Sequence, residues 1–303
     1  MKKFVSMIAL LAAVLLVFAA CGESKNEPAA IKLNDMLDRE VQLGAYAKRI
    51  VALQPSDCEI LYSLGAGDTL VGRGEYCNYP EEILDVPAVH SGGETNIEQI
   101  IALNPDVVIM SKMSQTPEQV EAIENAGIPV FVSYAQDIES IYVAIEKLGL
   151  IAGKQDEAAA VISDMKAAFD DIRVKSQVQS TYKTVYFETS PLEWGLWTAG
   201  KDTFMQEICD LLCVKNIFDD VSGWVQVSAE QVIDRNPDYI ITTAMYFGTG
   251  MLPDEEIKSR EGWQDIAAIK NGKVLGAISD ELTIPSVRLV KGAQALYDFI
   301  YGN

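Results

Sequence analysis

Asn96-Ile97-Glu98-Gln99-Ile100-Ile101-Ala102-Leu103-Asn104-Pro105-Asp106-Val107-Val108-Ile109 lies without a gap over Ser228-Ala229-Glu230-Gln231-Val232-Ile233-Asp234-Arg235-Asn236-Pro237-Asp238-Tyr239-Ile240-Ile241. Each copy reads as a helix, a proline stop and an apolar strand rich in β-branched residues. Those parts are common in α/β proteins, so their recurrence alone decides little. Glu-Gln and Asn-Pro-Asp returning in register at a constant offset decide more, because a repeat of this kind marks two similar lobes.

Strand and helix signals alternate on both sides of the first copy. Ile50 to Leu53 is a short apolar run, and Ser56-Asp57-Cys58-Glu59 reads as a capping box opening a helix that Gly65 closes. Val107 to Met110 and Val130 to Val132 are further buried-strand candidates, each behind a proline. This is the βαβ rhythm of a parallel sheet covered on both faces. It resumes after residue 180. Between the two runs, Ala158, Val161, Ile162, Met165, Phe169 and Ile172 recur at helical spacing through Asp156 to Ser176, with charges on the other face. About 20 residues at 1.5 Å each make a rod of roughly 30 Å, enough to bridge two lobes. The expected fold is therefore α/β, with two Rossmann-like lobes joined by one long backbone helix and a ligand cleft between them. The expected division is an N-terminal lobe at 31–153, a connecting helix at 154–178 and a C-terminal lobe at 179–303.

The start of the chain assigns an address. Lys2 and Lys3, the uncharged run Phe4 to Ala20 and the small residues before Cys21 have the layout of a secretory signal over residues 1–20, too short to favour a permanent span. Val17-Phe18-Ala19-Ala20-Cys21 resembles the lipobox of bacterial lipoproteins, which implies that Cys21 is acylated and anchors the protein to the cell membrane from outside. Residues 21–30 then form a tether. The net charge of −20 becomes more negative by two once Lys2 and Lys3 leave with the signal. Such a surface repels nucleic acid and anionic lipid. Cys58, Cys77, Cys209 and Cys213 are too few and too irregular for a disulfide scaffold, and Cys209 and Cys213, four residues apart, read as core residues.

Catalytic signatures do not turn up. There is no G-x-S-x-G, Walker loop, strand-coupled G-x-G-x-x-G or metal-spaced histidine cluster, so a two-lobe α/β enzyme is the weaker reading and no resident cofactor is expected. His90, the sole histidine, reads as a loop residue and only a weak metal candidate. Tyr76, Tyr79, Trp194, Trp197 and Trp224 lie in stretches punctuated by Gly and Pro, where aromatic residues serve recognition more often than aromatics within elements do, with core filling the alternative for each. Arg73, Lys112 and Lys201 are cations available to an anionic ligand.

From Arg49 to Tyr301 the chain resembles the substrate-binding proteins of ABC importers for metal chelates, the helical-backbone group that handles corrinoids, ferric siderophores and haem. The resemblance rests on Arg49-Ile50-Val51-Ala52-Leu53, on the two copies quoted above and on Pro285-Ser286-Val287-Arg288. Gly74-Glu75-Tyr76-Cys77-Asn78-Tyr79-Pro80, Leu196-Trp197-Thr198-Ala199-Gly200 and Ser222-Gly223-Trp224-Val225-Gln226-Val227-Ser228 resemble stretches of the corrinoid receptors. The segment before Asn96 departs from them, reading Ser91-Gly92-Gly93-Glu94-Thr95 where a tryptophan is expected. The resemblance implies a corrinoid of the vitamin B12 type as ligand, with haem or a ferric siderophore as the alternative. It also implies a monomer that docks on a permease dimer with its ATPase, with Glu98 and Glu230 pairing with permease arginines. A corrin has a broad apolar face edged by neutral amides, so it calls for aromatic area and a few hydrogen-bond partners. A surface receptor of the same fold without a permease is the remaining rival.

Overall fold

A computed structural model describes residues 30–179, 182–246, 248–276 and 279–302. The signal expected at 1–20 and the anchor expected at Cys21 lie outside the described residues. The described chain opens with an antiparallel hairpin of β1 (Ile31–Asn34) and β2 (Glu40–Leu43), an addition to the expected elements. Then come β3 (Ile50–Ala52), α1 (Pro55–Ser63), β4 (Leu70–Gly74), β5 (Ala88–Val89), α2 (Ile97–Ala102), β6 (Val107–Ser111), α3 (Pro117–Asn125), β7 (Val130–Ser133) and α4 (Ile138–Ala152). The five strands from β3 to β7 form one parallel sheet in the order β5-β4-β3-β6-β7.

The long helix α5 (Gln155–Gln177) leads to the second lobe. That lobe runs β8 (Thr184–Glu188), β9 (Leu196–Ala199), α6 (Phe204–Leu211), β10 (Lys215–Asn216), β11 (Trp224–Val227), α7 (Ala229–Arg235) and β12 (Tyr239–Thr242). It ends with α8 (Pro253–Ser259), α9 (Ala267–Lys270), β13 (Val274–Leu275), α10 (Ser279–Thr283) and α11 (Leu289–Tyr301). Its parallel sheet has the order β10-β8-β12-β13, and β9 and β11 form a separate antiparallel ribbon. The expected architecture holds: two sheets, one per lobe, and a single long helix between them.

Strands buried on both faces explain the near-continuous apolar runs. Ile50, Ala52, Val107 and Ile109 of the first sheet and Val185, Phe187, Tyr239 and Ile241 of the second belong to one core that Met165, Phe169 and Ile172 of α5 carry from lobe to lobe. The alternate residues Val51, Val108 and Met110 pack on the far side of the first sheet, and Tyr186 and Ile240 on that of the second. Helix α5 packs on α4 and α11, one element from each lobe. Among the described residues no helix is long and apolar enough to cross a membrane.

The repeated stretch does the same work twice. Asn96 caps α2 by accepting from the Gln99 N–H, and Ser228 caps α7 by accepting from that of Gln231. Asn104 and Asn236 follow their helices in the left-handed region, with φ of 47° and 43°, a conformation asparagine tolerates better than most residues. Asp106 then accepts from the backbone N–H groups of Lys48 and Arg49 at the entrance of β3, while Asp238 accepts from the Thr184 N–H at the start of β8. Each aspartate thus ties its own strand to the central one.

Two local expectations fail. Helix α1 begins at Pro55 behind Gln54, so Ser56 caps nothing, and Glu59 is drawn instead to Arg288 in the other lobe. Helix α6 ends at Leu211, which leaves Cys213 exposed beyond it with φ 54°, while Cys209 is buried as expected.

Candidate ligand-binding site

Open parallel sheets bind ligands at the carboxyl ends of their strands, where the strand order reverses. In the first lobe that point lies between β3 and β6, in the second between β8 and β12. A hollow opens at each. The first, about 220 Å³, is lined by Ser56, Asp57, Ser111, Ser133 and Tyr134, with Ile284 and Pro285 reaching over from the second lobe. The second, about 230 Å³, is lined by Glu188, Pro191, Ala244, Met245 and Tyr246. A larger apolar hollow of about 800 Å³ lies between the carboxyl half of α4 and the start of α5, away from both edges.

Each hollow has a buried acid on its floor. Glu188 is gripped by Arg260, whose two terminal nitrogens donate to its two oxygens at 3.0 Å each. Burial raises its pKa, and the guanidinium opposes that rise. Asp57, on the first turn of α1, is only 1% exposed, and neither of its oxygens has a partner of full hydrogen-bond geometry. Burial pushes its carboxyl up to about 7, with the Ser133 hydroxyl a lesser, opposing influence.

Three of the four tryptophans, Trp194, Trp197 and Trp224, belong to one ribbon beside the lobe boundary, while Trp263 is buried in the second lobe. Trp197 and Trp224 sit on strands rather than in loops: β9 and β11 pair so that Trp197 faces Gln226 and Trp224 faces Ala199. Residues directly opposite share a face, and so do alternate residues of one strand, so this register puts both tryptophans on one side of the ribbon. Trp197 donates its indole N–H to the Trp194 carbonyl at 3.1 Å. Between them Gly195 has φ 89° and ψ 166°, a backbone conformation that strains any residue with a Cβ, so the turn that presents Trp194 needs glycine. Trp194 and Trp197 keep 54% and 38% of their surface exposed, too much for core residues. Trp224 is half-buried with its edge against Phe204, 5.7 Å between centroids, and the Phe204 N–H donates to the Gln136 carbonyl of the first lobe. Gln136 is two residues from Tyr134. A short chain of contacts therefore links the ribbon to the Asp57 hollow.

The tyrosines divide. Tyr76 stands 66% exposed beyond the end of β4, on the carboxyl edge. Tyr79 lies instead in a groove with Glu59, Tyr62 and Arg288, and the Arg288 guanidinium sits 4.0 Å above its ring. Beneath it, Glu59 of α1 accepts from Arg288 Nε at 3.0 Å and from the Ser286 hydroxyl, a buried ion pair joining the two lobes. Sequence spacing held no sign of that pair, since its members are 229 residues apart.

The cations also divide. Arg73 is buried and donates to the carbonyls of Ile83, Val86, Gly74, Glu75 and Cys77, so it shapes the Tyr76 loop and is not available to a ligand. Lys112 is exposed, its ammonium 4.2 Å from the centre of the Tyr134 ring, and Lys201 is exposed near the ribbon. His90 pairs through Nδ1 with Glu75 at 2.9 Å. Among the described residues no three His, Cys, Asp or Glu side chains gather to hold a metal. Glu98 and Glu230 are both exposed in the first turn of their helices. Those helices run back against the parallel strands, so both glutamates lie at the carboxyl edge of their lobes. The Glu230 carboxyl is held below its ordinary range by its own backbone N–H and the Ser228 hydroxyl.

Residues 50–280 match the family model described as periplasmic binding protein. The chain belongs to that family. It is 33% identical to the uncharacterized ABC transporter substrate-binding lipoprotein YvrC of Bacillus subtilis (strain 168), over 99% of this chain and 98% of the relative. It is 30% identical to the vitamin B12-binding protein of Vibrio campbellii (strain ATCC BAA-1116), over 80% of this chain and 85% of that protein. The crystal structure of a possible iron-binding (periplasmic solute-binding) protein from Staphylococcus epidermidis ATCC 12228 superposes with a TM-score of 0.73 at 31% identity, covering 84% of this chain and 99% of that one.

Proposed function

We propose that this periplasmic binding protein is the extracytoplasmic receptor of an ABC importer and that it captures a corrinoid in the cleft between its lobes. The observation that carries the reading is the shared face of Trp197 and Trp224 at the lobe boundary, flat apolar area suited to a macrocycle. Tyr76 and Trp194 extend that area, while Tyr79 shapes the clamp beside it. With Arg73 occupied by carbonyls, few cations are left for an anionic ligand, which favours a neutral-rimmed corrin. The relative named for vitamin B12 supports the same choice. Haem or a ferric siderophore is the second reading, favoured by the exposed Lys112 and Lys201. No catalytic step is assigned.

Delivery follows from the two equivalent glutamates. Glu98 and Glu230 are assigned to the two permease subunits, with charge complementarity setting register more than affinity. Acylated Cys21 keeps the receptor at the membrane, and the chain acts as a monomer before docking.

The test is a titration of residues 22–303 with cyanocobalamin, dicyanocobinamide, haem and a ferric hydroxamate, read by absorbance and calorimetry. Tight corrinoid binding is expected. Trp197→Ala with Trp224→Ala should weaken it by at least a hundredfold, as expected of aromatic anchors. Binding of haem or the hydroxamate without corrinoid overturns the ligand. Glu98→Lys with Glu230→Lys should leave binding intact and abolish uptake, and persistent uptake would remove the docking role.

A further inference from the structure

Four acids are buried among the described residues: Asp35, Asp57, Glu59 and Glu188. Asp35 is paired with Arg39 at 3.1 Å, Glu59 with Arg288 and Glu188 with Arg260. Asp57 alone among them has no ion-pair partner and no fully formed hydrogen bond. A buried acid left this way lowers stability, so its presence at the strand-order reversal of the first lobe calls for a partner from outside the chain.

We propose that Asp57 is a recognition residue for the ligand, accepting a hydrogen bond from an N–H or O–H group that the ligand inserts into the hollow on the first lobe. On a corrinoid the donor is one of the primary amides of the rim. The inference rests on the cleft being the ligand site. The surroundings fit a polar arm: Ser56, Ser111 and Ser133 put hydroxyls around the acid. At about 220 Å³ the hollow is smaller than the roughly 300–1,000 Å³ that enclose a whole small ligand, so it admits a side arm while the macrocycle stays on the aromatic face. The matching hollow of the second lobe makes no such demand, because Arg260 already satisfies Glu188.

The test uses the full lobe pair, residues 22–303, and compares cyanocobalamin with a corrinoid whose rim amides have been hydrolysed to carboxylates. Wild type should prefer the amide form strongly, because the acid form brings no donor and adds charge repulsion beside Asp57. Asp57→Asn, which keeps an acceptor and also offers a donor, should cut that preference at least tenfold. Asp57→Leu should bind the amide form at least tenfold more weakly while unfolding no earlier than wild type. A role in the fold alone predicts the reverse pattern, lower stability with affinity unchanged. An unaltered preference in Asp57→Asn, or wild-type affinity in Asp57→Leu, overturns the proposal. If the tryptophan double variant also keeps full affinity, the cleft reading itself fails. If wild type binds haem and no corrinoid, the ligand assignment fails and the proposed role of Asp57 fails with it, because the propionates of haem bring no N–H or O–H donor to the hollow.

Discussion

At the carboxyl edge of the second sheet the chain completes its own electrostatics, because Arg260 reaches back from beyond α8 to hold both oxygens of Glu188. At the same edge of the first sheet Asp57 is buried just as deeply and is left without a cation. The halves share caps, stops and strand ties, so this contrast does not come from different folds. Glu188 ends its strand whereas Asp57 opens the helix that follows β3, so the contrast lies between the same edge of two sheets rather than between matched residues: one edge serves cohesion and the other stays open to the cleft.

The contrast breaks most visibly at Arg260. Arg260→Leu leaves Glu188 buried without its counter-ion and should cost about 3–5 kcal/mol in urea melts. A loss under about 1 kcal/mol would mean that the second lobe tolerates a bare acid as readily as the first. A smaller effect tests Asp57 itself. Its folded pKa of about 7 stands above the ordinary value near 3.8, so the folded state holds the proton longer. The group therefore costs nothing below about pH 4 and progressively more as pH rises through 7. Asp57→Asn should accordingly show a shallower fall in stability between pH 4 and pH 7 than wild type, and parallel curves would show that the carboxyl titrates normally. Smallest is a pair of substitutions in the repeat. Asn236 accepts from the Ala267 N–H at 2.8 Å as well as adopting its left-handed turn, whereas Asn104 has no such side-chain bond among the described residues. Glycine restores the backbone but not the bond, so Asn236→Gly should cost about 1 kcal/mol and Asn104→Gly close to nothing. Equal costs would reduce the difference between lobes to backbone alone.

What can be read from the sequence is what short-range chemistry writes into it. The repeat is legible because its residues act within a few positions or on the adjoining strand. The connecting helix is legible because a stripe of apolar residues at helical spacing fits little besides an amphipathic helix, and the observed Gln155–Gln177 differs from the expected bounds by a residue at each end. Ser56 and Glu59 look like a capping box because spacing cannot show that Arg288 claims Glu59. Arg73 looks like a ligand cation because nothing local says that five carbonyls will surround it. Trp197 and Trp224 stand out in the sequence by their glycine-punctuated surroundings, yet their common face depends on a strand pairing across the loop and helix between them. The isolation of Asp57 is the hardest kind of feature to foresee, since it consists of partners that are not there.

The Glu59–Arg288 pair has a mechanical corollary. A helix by itself is a hinge about which two bodies swing, whereas a second fastening some distance from it turns the hinge into a frame. Opening that frame means parting two desolvated charges, a far stiffer motion than bending one helix. A frame of this kind holds an opening at a set width. On the proposed cleft site, such a frame would admit or refuse a guest by its thickness before any polar contact is tried.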